Sequence, residues 1–299
     1  MKIPNIIAVI CILIFTVKST YAQQTPEFAD YFYNPLVINP AYTGFYRNSD
    51  ITFSGRMQAG SVEGAPETLS LSFHGPISQK KMGVGGMVIH DKLGVTTKTS
   101  FYGTYAFKLF SYENSSNSWY YSPTSLSLGL VGGVSRYTED LSSLNIGNDP
   151  VFQNNINATL PSVGVGAFYN SESFYIGLSS PNLLESSISQ ENNVNIKSHY
   201  YLNSGVRFFS SRFFFIEPSI LLKYVDGAPL QADFNVFFNY NNTIELGAGY
   251  RTTSSVNILA GVYIKNNFRL VYNYNPALDS TPLGQSHGLI LSYRFGDGF

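Results

Sequence analysis

The residues best equipped for chemistry in this chain are too scattered to share a reaction. His74, His90, His199 and His287 stand far apart, with no His-x-x-x-His or His-Asp spacing to set two ligands, or a base and its orienter, on one face. Each reads as a polar residue of a rim or lumen. Glu139, Asp140 and Asp149 could offer oxygens to calcium, but their spacing matches no calcium loop, and a solvated acidic loop accounts for them. Gly83-Val84-Gly85-Gly86 and Gly164-Val165-Gly166 resemble phosphate-binding turns only superficially, because both lie inside strand-like runs with no helix following. Small lumen or bulge positions explain them better. No catalytic residue, cofactor site or metal ligand set is assigned, and the chain is read as a non-enzyme; convergence of a nucleophile, base and orienter in the folded chain is the one route to catalysis that spacing leaves open.

A second group of ionisable residues follows a pattern. Asp233, Glu245, Arg251, Arg269 and Arg294 fall on one parity of alternating segments near the end of the chain. In 243–251, Ile244, Leu246, Ala248 and Tyr250 oppose Glu245, Gly247, Gly249 and Arg251. In 267–275, Phe268, Leu270, Tyr272 and Tyr274 oppose Arg269, Val271, Asn273 and Asn275. In 287–296, Leu289, Leu291, Tyr293 and Phe295 oppose Gly288, Ile290, Ser292 and Arg294. Period two is the signature of strands, whose side chains alternate between two faces. An outward Arg at the middle of a bilayer costs about 2–4 kcal/mol, so these charges are expected to face an aqueous lumen and to pair across neighbouring strands.

Some fourteen strand segments can be read in this way: 50–58, 67–75, 82–91, 95–110, 124–137, 161–170, 173–180, 200–209, 213–225, 230–240, 243–251, 256–264, 267–275 and 288–295. Short polar connections at 170–173, 210–212, 239–242 and 265–267 suit tight hairpins between up-and-down neighbours. The longest connections, 138–160 and 181–199, alternate in position with these, as outer loops alternate with periplasmic turns in a membrane barrel; 111–123 is a long exception on the short side. Gly64-Ala65-Pro66 recurs as Gly227-Ala228-Pro229, both on the outer side, and is read as a shared turn.

Composition separates a membrane barrel from a soluble sandwich. The 299 residues are 44% hydrophobic and 15% aromatic but only 12% charged, about half the charge of ordinary soluble domains. Strand faces that a soluble sandwich would fill with Lys and Glu carry Gly, Ser, Thr and Asn here. Tyr31-Phe32-Tyr33, Trp119-Tyr120-Tyr121, Tyr200-Tyr201 and Tyr272–Tyr274 fit the aromatic girdles of a bilayer interface. A formal charge of −1 offers no field for a phosphate backbone, so nucleic acid is not an expected partner.

Lys2, the apolar run at 6–17 and Thr20-Tyr21-Ala22 read as a signal peptide cleaved after Ala22; the run is too short for a membrane anchor. Cleavage removes Cys11, the sole cysteine, and with Lys2 and Lys18 takes the formal charge from −1 to about −3. The expected organisation is a signal peptide at 1–22, an irregular periplasmic segment at 23–49 and a transmembrane, up-and-down antiparallel β-barrel of about 14 strands at 50–299, an all-β fold. Within 23–49, two Asn-Pro pairs bias the chain away from helix. Leu36, Ile38 and Tyr42 could brace or plug the lumen, and a surface tether suits the same residues.

Asn34-Pro35 with Asn39-Pro40-Ala41-Tyr42-Thr43-Gly44, followed by Arg56, Gln58, Gly64-Ala65-Pro66, Asp91 and Gly94, resembles the PorP/SprF family of the Bacteroidetes type IX secretion and gliding machinery. The resemblance covers essentially the whole mature chain, with Ala59-Gly60 standing where an aromatic usually follows the Arg and Gln. It implies a protein of the Gram-negative outer membrane, in contact with its lipid and with other type IX secretion components. Its implied task is to help secrete or hold at the surface a cargo bearing a C-terminal sorting domain, such as a gliding adhesin. Phe299 resembles the terminal aromatic of outer-membrane proteins. A porin-like or substrate-selective channel is the alternative, since a lumen of this size falls between filled small barrels and open porins.

Overall fold

The computed structural model describes residues 31–58, 64–77, 81–112, 120–144, 154–184, 197–210, 213–252, 255–276 and 285–299. The signal-peptide reading, residues 23–30, Trp119 and Asp149 lie outside them. Among the described residues the strands are β1 (Asp50–Gln58), β2 (Glu67–Ile77), β3 (Met82–Leu93), β4 (Thr96–Tyr112), β5 (Thr124–Glu139), β6 (Ile156–Asn170), β7 (Phe174–Ser180), β8 (His199–Val206), β9 (Phe208–Phe209), β10 (Phe214–Val225), β11 (Gln231–Tyr240), β12 (Ile244–Arg251), β13 (Ser255–Ile264), β14 (Phe268–Asn275) and β15 (Ser286–Arg294). Both β8 and β9 pair with β10, on either side of Arg207, so β9 is the continuation of β8 past an irregularity and the barrel has fourteen strands.

Every neighbour pair is antiparallel, and β1 closes the sheet on β15 from Asp50↔Arg294 to Gln58↔Ser286. Closure leaves no strand edge, which hydrocarbon demands because it offers nothing to an unpaired N–H or C=O. Outward residues form an apolar belt that includes Phe53, Leu71, Phe101, Leu130, Leu246 and Leu289, all exposed. Inward residues of the same strands are small or polar, such as Thr52, Ser72, Ser100, Gly129 and Ser292. The chain belongs in an outer membrane, where this inversion of the usual soluble pattern is the stable one.

All fourteen expected strands are present, with boundaries moved mainly at β6. That strand begins at Ile156 rather than at 161, because Ala158 and Leu160 turn inward while Asn157 and Thr159 face out, the reverse of a lipid-facing pattern. The aromatic clusters divide differently from the expectation. Tyr31 and Tyr33 are buried inside the barrel, Tyr120 packs on Phe215 from within, and Tyr201 points inward, so among the described residues of those clusters Tyr200, Tyr272 and Tyr274 are the ones on the outer wall. Tyr120 also explains the long connection at 111–123: its described end folds under the barrel, where Ser122 accepts from Asn170 and Arg207. Gly64 and Gly227 both adopt positive φ, +77° and +79°, so the repeated Gly-Ala-Pro is a shared turn geometry.

An Arg at the lipid-facing Leu289 should lower the unfolding free energy of the barrel in phospholipid vesicles by about 2–4 kcal/mol. Denaturant titration of Leu289→Arg against the parent reads this directly. A change near zero would show that the outer belt does not face acyl chains.

Candidate functional site

Residues 31–46 lie inside the barrel and hold to its wall around most of the circumference, and 47–49 lead out at the mouth to β1. The first Asn-Pro pair starts a 3-10 turn at Pro35–Val37 and the second one at Pro40–Tyr42, each with proline at its first position, where the missing N–H is no loss. Asn39 caps the second turn by accepting from Ala41 N (3.0 Å) and donates Nδ2 to Ala167 O on β6 (3.1 Å). Asn34 donates to Ser72 on β2 (3.0 Å), Ser179 on β7 to Ile38 O (2.7 Å), and Asn235 on β11 to Tyr31 Oη (2.6 Å). Leu36, Val37 and Ile38 pack against Met87, Val131 and Leu221, apolar residues that point inward from three strands.

Close approach of this segment to the wall is what the lumen glycines permit. A Cβ on Gly129 would collide with the backbone of Pro40 and Ala41, and one on Gly83 with Thr43. Gly166 stands against the Asn39 side chain in the same way. The glycine runs that superficially suggested nucleotide loops thus include seats for the inner segment. On the inner segment itself Gly44 has φ +66° and gives its N–H to His74 Nδ1 (3.2 Å).

The five inward charges are all buried, and their partners differ from one to the next. Asp233 and Arg251, register partners on β11 and β12, form a two-pronged pair with both contacts at 2.8 Å. Arg294 pairs with Asp50 across the closing seam at 3.2 Å, and its guanidinium lies 3.2 Å from the Tyr46 ring centre. Glu245 accepts from Tyr263 (2.7 Å). Arg269 donates to Tyr33 O and Ser292, both at 3.1 Å, with its guanidinium 5.0 Å from the Tyr33 ring. Cross-strand pairing therefore holds for Asp233 with Arg251, whereas Arg269 serves the inner segment.

Alternation also carried a pair that the reading of isolated charges passed over. Arg207 and Glu217 meet at 2.7 Å and are both buried, one at the break between β8 and β9 and the other on the inward parity of β10. Arg207 further donates to Ser122, Asn170 and Ser171. With Asp50, Glu245, Arg269 and Arg294, they sit toward the strand ends that carry the short turns. There the inner segment, Tyr120 and Phe299 line a partly open cavity of about 100 Å³. The Phe299 ring turns inward over Arg294 (4.1 Å) and Arg269 (4.9 Å), while Phe295 faces out as the terminal lipid-side aromatic. Burial pushes the hydroxyls of Tyr33, Tyr42 and Tyr120 well above their ordinary pKa, so they stay neutral donors.

The remaining motif residues lie elsewhere. Arg56 donates to Ser286 across the seam (3.0 Å), and Gln58 N–H bonds Pro66 O (3.0 Å) at the long-loop end. Gly64 O accepts from Gly94 N (2.8 Å), tying the first long-side hairpin to the second. The motif thus splits into an inner-segment set, Asn34 to Gly44, and a rim set, Arg56 to Pro66. No cluster of His, Cys, Asp and Glu suited to a metal occurs among the described residues.

Over residues 20–293 the chain matches the family described as type IX secretion system membrane protein PorP/SprF. No curated protein matches it. Among solved structures, it is similar to the outer membrane protein Omp33 of Acinetobacter baumannii, at 7% identity and TM-score 0.48 over 85% of this chain and 100% of that one. A FadL homologue of Pseudomonas aeruginosa is similar at 11% identity and TM-score 0.47, over 86% and 93%.

Removing the arginine from the Asp233 and Arg251 pair leaves a buried carboxylate uncompensated, so Arg251→Ala should cost about 3–5 kcal/mol in denaturant titration, and the double variant Asp233→Leu, Arg251→Met should recover most of it. Gly129→Val should push the inner segment off its seat at about 1–3 kcal/mol. The readout is new reactivity of a cysteine placed at Ala41 toward a water-soluble maleimide, absent when Gly129 is retained.

Proposed function

This chain belongs to the PorP/SprF family of type IX secretion system membrane proteins, and on that premise we propose that it is a non-enzymatic outer-membrane barrel that supports secretion or surface anchoring of a cargo protein with a C-terminal sorting domain, such as a gliding adhesin. The observation that carries the reading is the filled lumen. Residues 31–49 hold to β2, β6, β7, β11 and β14 across the interior, so a folded cargo has no path through the tube. Support of the cargo then falls to the rims and the outer wall, with the short-turn mouth toward the periplasm and the Arg56 to Pro66 rim toward the exterior. Motif residues Asn34, Pro35, Asn39, Pro40, Ala41, Tyr42 and Gly44 serve to hold the plug. Arg56, Gln58, Gly64, Ala65 and Pro66 shape the outer rim that meets the partner.

The same filling opposes a porin. An open channel needs a continuous water path, and buried apolar packing of Leu36 and Ile38 against the wall interrupts it.

Deleting the gene should leave one surface protein with a C-terminal sorting domain trapped in the periplasm, detected by fractionation and mass spectrometry, while other secreted proteins are unaffected. Secretion and surface retention of every such cargo in the deletion strain would refute the role. In planar bilayers the intact barrel should show no stable open-channel current, and removal of residues 31–46 should produce one; steady current from the intact protein would favour the channel.

A further inference from the structure

The outward face of the barrel excludes cations except in one place. Of the Lys and Arg in the described strands, only Lys92 on β3 and Arg136 on β5 take the outward parity, and both are exposed; every other, from Arg56 on β1 to Arg294 on β15, takes the inward one. The two exceptions are close together. Register sets His90, Thr99, Arg136 and Thr159 side by side across β3 to β6, and Lys92, Thr97, Thr138 and Asn157 in the next row toward the outer rim. Strands lie about 4.8 Å apart and same-face residues of one strand about 6.8 Å apart, so the two cations stand about 12 Å apart at Cα. Both side chains can reach one group lying over β4.

Height on the wall says what that group is. One row below Arg136 the outward residues Val88, Phe101, Val134 and Pro161 are apolar and exposed. Along β5 the outward run from Leu126 to Val134 covers about 27 Å of strand, or about 20 Å of bilayer at the usual tilt, close to the height of a barrel's apolar band. Arg136 therefore stands where hydrocarbon gives way to headgroups, a depth at which an outward Arg costs little. On β8 to β14 the same boundary carries exposed tyrosines, Tyr200, Tyr224, Tyr250 and Tyr272, the usual interfacial residue. On β3 to β6 basic and hydroxyl groups stand there instead.

The chemistry of this patch suits an oxyanion. Arg136 has no hydrogen bond or ion pair among the described residues, and its row neighbours Thr99 and Thr159 carry hydroxyls, with His90 Nδ1 2.9 Å from Thr99 Oγ1. A guanidinium offers paired N–H donors that match phosphate oxygens. Glu67 stands opposite Lys92 and offsets part of its charge, which leaves Arg136 as the main attraction. In the outer leaflet of a Gram-negative outer membrane, the oxyanion at this depth is the phosphate on the glucosamine headgroup of lipopolysaccharide.

We propose that the outward face of β3 to β6 binds a phosphate of outer-leaflet lipopolysaccharide, gripped by Arg136 with Lys92 in support. The site rests on the outer-membrane placement of the barrel with its long-loop rim outside. It goes beyond the cargo role and survives if that role fails, because its test reads lipid binding alone.

The full-length barrel in a neutral detergent is titrated with lipid A bearing its phosphates and with the same lipid dephosphorylated, and affinity is read by native mass spectrometry. The phosphorylated lipid should bind saturably, at least about tenfold more tightly than the other, and less tightly as salt is raised. Arg136→Gln, which removes an exposed charge and leaves no buried group unmet, should weaken binding about tenfold, and Lys92→Gln about threefold because Glu67 stays opposite. Lys265→Gln, exposed at the short-turn end, should leave it unchanged. The proposal is overturned if the two lipids bind alike, if Arg136→Gln binds as the parent does, or if Lys265→Gln weakens binding as much as Arg136→Gln, which would mean that any surface cation suffices.

Discussion

Hydrocarbon accepts no unpaired backbone N–H or C=O, and the architecture of this protein follows from that constraint. A sheet meets it only by closing on itself, as β1 does on β15 through nine consecutive register pairs. Closure fixes the parity of every residue: one set must dissolve in lipid, the other must live in an enclosed lumen. The apolar surface that a soluble protein would hide is therefore displayed on the outside here, and the difficulty of stabilising polar groups in a confined space passes to the interior.

The interior is stabilised by a segment that is neither helix nor strand. A fourteen-stranded lumen is too wide for its own side chains to fill, and the inward faces are mostly small. Residues 31–46 occupy the space left over. Their two short proline-started turns fold the chain compactly enough to bring Leu36 and Ile38 onto inward apolar residues, while Asn34, Asn39 and the carbonyl of Ile38 meet polar groups of the wall. Charges contribute in the same sense. Asp233 with Arg251 and Arg294 with Asp50 tie neighbouring strands, and Arg269 ties the inner segment to the wall through Tyr33.

Much of this was legible from residue order because the two controlling variables are local. Period two and scarcity of charge are properties of neighbouring residues, and they sufficed for fourteen strands, for the lipid-facing set and for the inward placement of Asp233, Glu245, Arg251, Arg269 and Arg294. Where local pattern failed, the cause was a contact from far along the chain. Tyr31 and Tyr33 have the composition of an interfacial girdle, yet they are inside because the segment that bears them folds back into the tube. Phe299 has the type of a lipid-side terminal aromatic, yet positive φ at Gly296 and Gly298 turns it onto Arg294 and Arg269.

Sequence by itself thus determined the fold class, the strand count, the two faces of the wall and the family, since each rests on alternation or on a contiguous motif. Only the tertiary structure decided that the lumen is filled, that Gly83, Gly129 and Gly166 are the seats of the filling segment, that Arg207 finds Glu217, and that Tyr33, Glu245 and Arg269 share one cavity. Those facts depend on which residues meet across a closed cylinder. That meeting is set by register and by the path of residues 31–49, neither of which leaves a periodic trace in the chain.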